Sequence, residues 1–420
     1  MTIATLGESR VRSHRRGFIS DEERIPEIIR RRPGEPADTG FLFELAGPRE
    51  QLFFDPQTSR AGIVTCGGLC PGLNNVIRSL FRELHDGYGV AEILGFRMGY
   101  RGLDPARALE PFMLSHSMVD DIHKHGGTYL GTSRGPVDID AAVANLIARR
   151  INMLFCIGGD GTQRGASALY EACKARGHPL AVVGVPKTID NDVRHVNRTF
   201  GYLTALEESR RVIDAAHTEA RSVPNGIALV KLMGRHAGFI AAGATIASQD
   251  VNFTLVPEVP FALDGPDGFL AALKRRILNR GHAVIVVAEG AGQDLFPNER
   301  RRTDASGNTK LHDIGDFLAA AIEGYFGAEQ VPIRLRYFDP GYQIRSRPAN
   351  CEDAVLCDQF ARLAVHAAMA GKTGLVVGLL HGLFIHVPTE LIVSKTKRLD
   401  PEGPLWQAVL ATTRQPARFS

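Results

Sequence analysis

Cysteine is scarce, with six residues in 420, at 66, 70, 156, 173, 351 and 357. That is too few for a disulfide scaffold, and the thiols read as reduced in a cytoplasmic setting. Cys66-x3-Cys70 has the makings of a metal pair, but no second pair stands at zinc-site spacing, and the structural reading is preferred. Net charge is also small. Lys and Arg number 49 against 46 Asp and Glu, a formal +3. A dedicated nucleic-acid binder should be clearly basic, so that class is set aside. No run suits a membrane span. Thr373–Thr389 is free of Asp, Glu, Lys and Arg, but glycines, two histidines and a proline interrupt it. The N-terminus shows no apolar core of a signal peptide. A fixed-period repeat is missing as well. So is a GxGxxG followed by an acid about 20 residues on, which argues against a dinucleotide oxidoreductase. No Ser or Cys nucleophile with a His partner is apparent.

What is present is a globular composition, 44% hydrophobic and 23% charged. The length suits two or three domain-sized units or one bilobed enzyme. The excess charge is local. Residues 1–33 hold eight Arg against five acids, and the other residues hold 41 of each. Arg runs and the prolines at 26, 33 and 36 mark this segment as an extension. It is expected to be partly disordered or to contact another subunit, and its acids argue against a transit peptide. From about residue 60 short apolar runs alternate with helical stretches. Ala61–Thr65, Met153–Ile157, Leu180–Val185, Gly226–Leu232, Ala283–Ala288 and Leu375–Leu380 are the expected strands. Helices are expected over Gly72–His85 and Gly165–Arg176. Apolar strands separated by helices imply an α/β fold with a mostly parallel, doubly wound sheet covered on both faces. The polar insert Asp294–Lys310 reads as a surface loop.

In such sheets ligands lie at the carboxyl ends of the strands, so the residues after each apolar run matter most. After the first strand comes Cys66-Gly67-Gly68-Leu69-Cys70-Pro71-Gly72-Leu73-Asn74. Its glycines let backbone amides approach an anion, and a helix N-terminus follows. A tight turn alone would also call for them. The chain's one Gly371-Lys372-Thr373 is no Walker loop, since His366 stands where the first glycine belongs. After the second run comes Gly158-Gly159-Asp160-Gly161-Thr162, where the Asp can hold Mg²⁺ through oxygen and water or cap the next helix. After the third comes Pro186-Lys187-Thr188-Ile189-Asp190-Asn191-Asp192. Two carboxylates two residues apart suit one as proton acceptor and the other as orienter or metal contact. Lys187 would neutralise phosphate charge; a solvated acidic loop is the bland alternative. Lys231–His236 and Ala288-Glu289-Gly290 end later strands, and an Arg with a Glu suits an anionic, polyhydroxylated ligand. Arg334, Arg336, Arg345 and Arg347 fall within 14 residues, a phosphate-gripping cluster or a solvated face.

GGLCPGLN, GGDGT, PKTIDND, MGR, AEG and the final Arg cluster, in this order, resemble the 6-phosphofructokinases from about residue 50 onward. GGDGTQRGA with PKTIDND is most similar to the ATP-using branch related to the pyrophosphate-dependent enzymes, as in plants and trypanosomatids. The resemblance implies two Rossmann-like domains with the active site in the cleft, behind an extension at residues 1–50. The nucleotide domain would span 51–202 and return at 344–393. The fructose 6-phosphate domain would span 203–343, with 394–420 packed back on it. It implies ATP as donor, Mg²⁺, transfer to the 1-hydroxyl of fructose 6-phosphate, a homo-oligomer, dimer or tetramer, with shared active sites, and a cytoplasmic, glycolytic enzyme. Gly68, Tyr100, Arg134, Gly158, Gly159, Asp160, Gly161 and Thr162 would face the nucleotide, Asp160 holding the metal. Asp190 would be the base, supported by Thr188, Asp192, Arg235 and Lys187. Thr188, Ile189, Asp190, Met233, Gly234, Arg235, Glu289, Tyr342 and Arg345 would bind the sugar phosphate, with Arg336 reaching from a neighbouring subunit. The small bacterial members carry His where Tyr342 stands, and a second cross-subunit Arg where this chain has Gly226. Pyrophosphate-using members commonly have Asp at the place of Gly161 and Lys at that of Lys187. The absent side chain at 161 is the harder constraint, and it points to ATP over pyrophosphate.

Overall fold

The structure is a computed structural model of the chain and describes all residues except 1, 31, 35–39, 108 and 297–309. The core of the expected surface insert therefore lies outside the described residues. The principal strands are β1 (Arg60–Thr65), β2 (Glu92–Gly95), β3 (Met153–Gly158), β4 (Ala181–Pro186), β5 (Gly226–Leu232), β6 (Phe253–Leu255), β7 (His282–Ala288), β8 (Arg334–Phe338), β9 (Leu375–Leu380) and β10 (Leu383–Pro388). The chain divides into two compact units. One holds 1–188, 193–201 and 346–396; the other holds 189–192, 202–345 and 397–420.

The first unit is built on a nine-stranded sheet in which β9, β4, β3, β1 and β2 run parallel in that order. Every residue of β3 and β4 is buried, which is why they read as unbroken apolar runs. The order carries a switch point. From β1 the chain moves to β2 on one side, then returns to β3 on the other, and ligands favour the loops at such a reversal. β1 is followed by α1 (Leu73–Arg82), which gives way to a π-helical turn at Glu83–Tyr88. At the head of α1, Gly72 has φ of 100°. A Cβ there would meet Cys357 Sγ at 2.5 Å, so only glycine fits. The helix that follows β3, α2 (Asp160–Ala175), begins five residues earlier than the sequence suggested. Gly159 leaves β3 in an extended conformation, and the glycine motif is itself the first turn.

The second unit has a four-stranded parallel sheet ordered β6, β7, β5, β8. Its core packs the inward faces of β5, β6 and β7 against the helices Phe269–Arg280 and Ile314–Ala328.

The N-terminal segment, expected as a loose extension, is stitched to the first unit. Ala4–Thr5 pairs with Lys372–Thr373, Val11–Arg12 with Gln51–Leu52, and Arg24–Pro26 with Leu42–Leu45 at the sheet edge. Its charges are largely paired. Arg15 meets buried Glu83. Asp21 takes Arg49 at 2.6 Å and Lys372 at 2.8 Å. The same two cations grip buried Glu44 at 2.9 and 2.8 Å, and His386 completes the cluster at 2.9 Å. Burial pushes the Glu44 carboxyl up, but hydrogen bonds and charge from His386 and Lys372 outweigh it and hold it at about 2.

Glu44→Gln removes the anion at the centre and leaves buried cations short of a partner, so it is expected to cost about 3–5 kcal/mol. The folded value lies below the ordinary 4.5. The Glu44 contribution is therefore complete above that value and is lost as pH falls from there toward the folded one. Urea denaturation of both proteins at neutral pH and stepwise down to acid checks this. Equal stability at neutral pH would refute the role given to Glu44.

Candidate active site

Strand register brings three loops of the first unit to one level. Thr65 of β1 lies beside Ile157 of β3, and Gly158 of β3 beside Pro186 of β4. The loops therefore start next to one another, and hydrogen bonds join them. Buried Lys187 donates from Nζ to the Gly68 carbonyl at 2.6 Å. That places the ammonium charge beneath the first glycine loop, where the backbone of Gly67 leaves room for it. The 131–134 segment is clasped to the same loop. Thr132 Oγ1 donates to the Gly67 carbonyl at 2.7 Å, and the Gly67 amide to the Ser133 carbonyl at 3.2 Å. Exposed Arg134 is thus presented at the β1 exit.

Asp160 is the first residue of α2 and is half-buried, followed by exposed Gly161. A Cβ at Gly161 would meet nothing closer than Arg164 Nη2 at 3.8 Å. The fold itself leaves that space open. Gly158 differs, since a Cβ there would lie 2.1 Å from Thr162 Oγ1.

Two other residues expected to face a nucleotide are buried against the loop. Thr162 is 6% exposed because the first turn of α2 folds it onto Gly158. Tyr100 is 7% exposed; its ring fills the hollow left by Gly165, and its hydroxyl donates to the Thr162 carbonyl at 2.6 Å. Both shape the loop from below. Gln163, which the sequence reading passed over, does the same, donating to the Gly158 carbonyl at 3.0 Å. Its nearness to the glycine motif was the available signal.

Ile189–Asp192 belongs to the second unit. Asp190 and Asp192 are half-buried, and buried Asn191 takes φ of 53°, a left-handed conformation that asparagine tolerates. The Asp192 carbonyl accepts from the Lys397 amide at 2.8 Å. Burial lowers the Lys397 ammonium to about 8, with Asp192 pulling the other way. Nothing in the Ser394–Arg398 sequence had marked this lysine.

β5 and β7 end together, with Leu232 beside Ala288. Gly290 donates to the Gly234 carbonyl at 3.1 Å. A Cβ at 290 would sit 2.0 Å from the Arg235 carbonyl, so the close approach depends on glycine. Met233 and Gly234 lie in this turn. Nε and Nη2 of Arg235 are shut off from water and have no hydrogen-bond partner. A desolvated guanidinium is costly unless something anionic engages it. Burial also pushes the Glu289 carboxyl up, against the pull of Arg235, Lys231 and Arg345. Lys231, given no role from sequence, is anchored between Asp313 at 2.7 Å and Asp339 at 3.0 Å. Its signal was a lone lysine in an apolar strand.

The Arg345 guanidinium lies 4.7 Å from the ring centre of Tyr342, which is 78% exposed. Arg336 stands exposed on the edge strand β8. At Gly226 a Cβ would lie 2.0 Å from the Ala220 carbonyl. The end of the helix Tyr202–Arg221 approaches too closely for any side chain. The described cysteines are all free, and Cys70 packs with its thiol on the Phe200 carbonyl at 3.3 Å. Among the described residues no helix is long and apolar enough to cross a membrane.

Tyr100→Phe is expected to lower stability by about 0.5–1.5 kcal/mol, because the Thr162 carbonyl keeps its helical partner but loses the hydroxyl donor. Urea denaturation measures this, and an unchanged midpoint would remove Tyr100 as the support of the loop.

A family model described as Phosphofructokinase matches residues 60–368. The ATP-dependent 6-phosphofructokinase of Amycolatopsis methanolica is 50% identical over 383 residues, covering 90% of this chain and 83% of that protein. The Borreliella burgdorferi enzyme of the same name is 47% identical, covering 95% and 91%. ATP-dependent 6-phosphofructokinase 7 of Arabidopsis thaliana is 45% identical, covering 95% and 82%. Among solved structures, a pyrophosphate-dependent phosphofructokinase from Marinobacter aquaeolei superposes with a TM-score of 0.70 at 19% identity, covering 85% of this chain and 91% of that one. At that identity the likeness speaks for the fold.

Proposed function

The chain belongs to the phosphofructokinase family and is an ATP-dependent 6-phosphofructokinase, and we propose that its strand-exit loops divide the reaction as follows. The enzyme moves the γ-phosphoryl group of ATP to the 1-hydroxyl of fructose 6-phosphate. Transfer of this kind needs positioning and charge neutralisation more than covalent chemistry.

The first unit holds the donor. The backbone of Gly68, Gly158, Gly159 and Gly161 lies under the phosphates, and Arg134 pairs with them from the clasped segment. Asp160 fits Mg²⁺, because a single carboxylate at an open turn leaves the remaining positions to water and phosphate oxygens. When bound, the ion neutralises charge on the transferring group. The observation that carries the donor assignment is the open space at Gly161. The protein does not need glycine there, whereas a nucleotide passing close to the backbone does.

The second unit holds the acceptor. Asp190 accepts the proton of the 1-hydroxyl, and Asp192 and Thr188 orient that loop, with Ile189 at its base. Arg235 stabilises charge on the transferring group, and Lys187, on the first unit, neutralises donor phosphate charge from under the glycine loop. Glu289 binds sugar hydroxyls beside Met233 and Gly234, while Arg345 with Tyr342 grips the 6-phosphate. Arg336, exposed on an edge strand, serves the active site of a neighbouring copy. With Gly226 closed to any side chain, it does so without the second arginine of the small bacterial enzymes. The runner-up donor, pyrophosphate, is favoured by Lys187, but a lysine braced on the Gly68 carbonyl neutralises charge on either donor.

Asp190→Asn is expected to lower kcat by roughly 10²–10⁴-fold, with the fold intact. A variant keeping a third of wild-type kcat would remove Asp190 from the base role. Mixing it with Arg336→Ala under conditions of subunit exchange should restore part of the activity; no recovery would argue against a shared site. Gly161→Asp is expected to depress turnover with ATP far more than any turnover with pyrophosphate. If the unmodified protein used pyrophosphate and not ATP, the donor assignment would fall while the acceptor assignment stood.

A further inference from the structure

The first unit carries a second cluster of metal-ligating side chains, two from the π-helical turn that follows α1 and one, His116, from the short helix His116–Val119. The Asp86 Oδ1 oxygen lies 2.8 Å from His85 Nδ1 and 2.9 Å from His116 Nε2. The three donor atoms all fall within 4.8 Å of one another. Each side chain is a little under half exposed, so a hydrated ion can reach them. We propose that His85, Asp86 and His116 form a binding site for one borderline divalent transition-metal ion of the Zn²⁺ type.

The cluster is held in place rather than assembled from free surface chains. Buried Phe81 organises both rings. His85 stacks on it at 5.3 Å between centroids and 15° between planes, and His116 meets it edge-on at 5.2 Å. The two chain segments are tied to each other, because Arg82 Nη2 pairs with Asp120 Oδ1 at 3.2 Å. The turn itself is fixed at Gly87. A Cβ there would meet the buried Glu83 carboxylate at 2.8 Å, and the Gly87 carbonyl accepts from His14 Nε2 at 2.7 Å and Arg15 Nη1 at 3.3 Å. The present N···O separations are hydrogen-bond lengths. Tetrahedral sites set ligand atoms roughly 3.3 Å apart, so the two N···O pairs must widen by about 0.5 Å while the two imidazole nitrogens, now within 4.8 Å, settle to the same spacing.

The donor chemistry selects the metal class. Two imidazoles and one carboxylate suit Zn²⁺, Co²⁺, Ni²⁺ or Cu²⁺, with water completing the shell. Mg²⁺ prefers an all-oxygen octahedron, so the ion used at Asp160 does not compete here. Bound metal cross-links the end of α1 to the 116–120 segment, beside the point where the N-terminal segment docks through His14 and Arg15. It should therefore raise the thermal stability of the whole chain.

The test uses chelator-stripped, full-length protein titrated with ZnCl₂ by calorimetry in millimolar Mg²⁺, with Tm followed in parallel. One Zn²⁺ per chain is expected, with a rise in Tm. His85→Ala, Asp86→Asn and His116→Ala should each weaken uptake at least about tenfold. His282→Ala, on the other unit, should leave uptake unchanged. No saturable uptake by the wild type would overturn the proposal, and so would undiminished uptake and Tm rise in the His85→Ala/His116→Ala double variant.

Discussion

The register of three parallel strands is the constraint on which the rest of the first unit depends. Because Thr65 pairs with Ile157 and Gly158 with Pro186, the first glycine loop, the Asp160 turn and the Lys187 loop leave the sheet at one level. Glycine makes that convergence physical. Each loop must pass near another chain segment, and a side chain at 72 or 158 would occupy the path. Lys187 then locks the arrangement by reaching back to Gly68. A one-residue slip of β4 would point its lysine away from the loop and break the brace.

The second unit uses the same device for a different end. β5 and β7 finish side by side, and Gly290 allows their turns to touch. The result is a desolvated arginine with unmatched donors beside a carboxyl whose pKa burial has raised. Such a pairing is poor economy for stability and good preparation for an anionic ligand. Lys231, clamped by two aspartates, adds fixed positive charge without the freedom of a surface lysine.

The N-terminal segment shows how misleading a charge count can be. Its arginine runs suggested an arm partly disordered or turned to another subunit, yet Arg15 pairs with buried Glu83, and Asp21 joins the cluster of Arg49, Lys372, Glu44 and His386. Partners outside the segment, Lys372 among them, turn these charges into anchors. The anchored segment also meets the turn that bears His85 and Asp86, which ties the proposed metal cluster to the same region of the molecule.

The sequence by itself determined the parallel α/β class, six of the ten principal strands and the loops that carry Asp160, Asp190, Arg235 and Glu289. Those signals are local: apolar runs buried on both faces, and glycines followed by charge. Motif order also sufficed to point to the family. Only the tertiary structure decided which motif residues face outward and which lie underneath. Thr162 and Tyr100 look like site residues in one dimension, but the early start of α2 turns one inward and packs the other below it. Likewise only the fold revealed Lys397 against Asp192, the anchoring of Lys231, and the closing of Gly226 by the Ala220 carbonyl. Each depends on contacts between segments distant in sequence, and burial and hydrogen-bond partners of that kind leave no periodic trace along the chain.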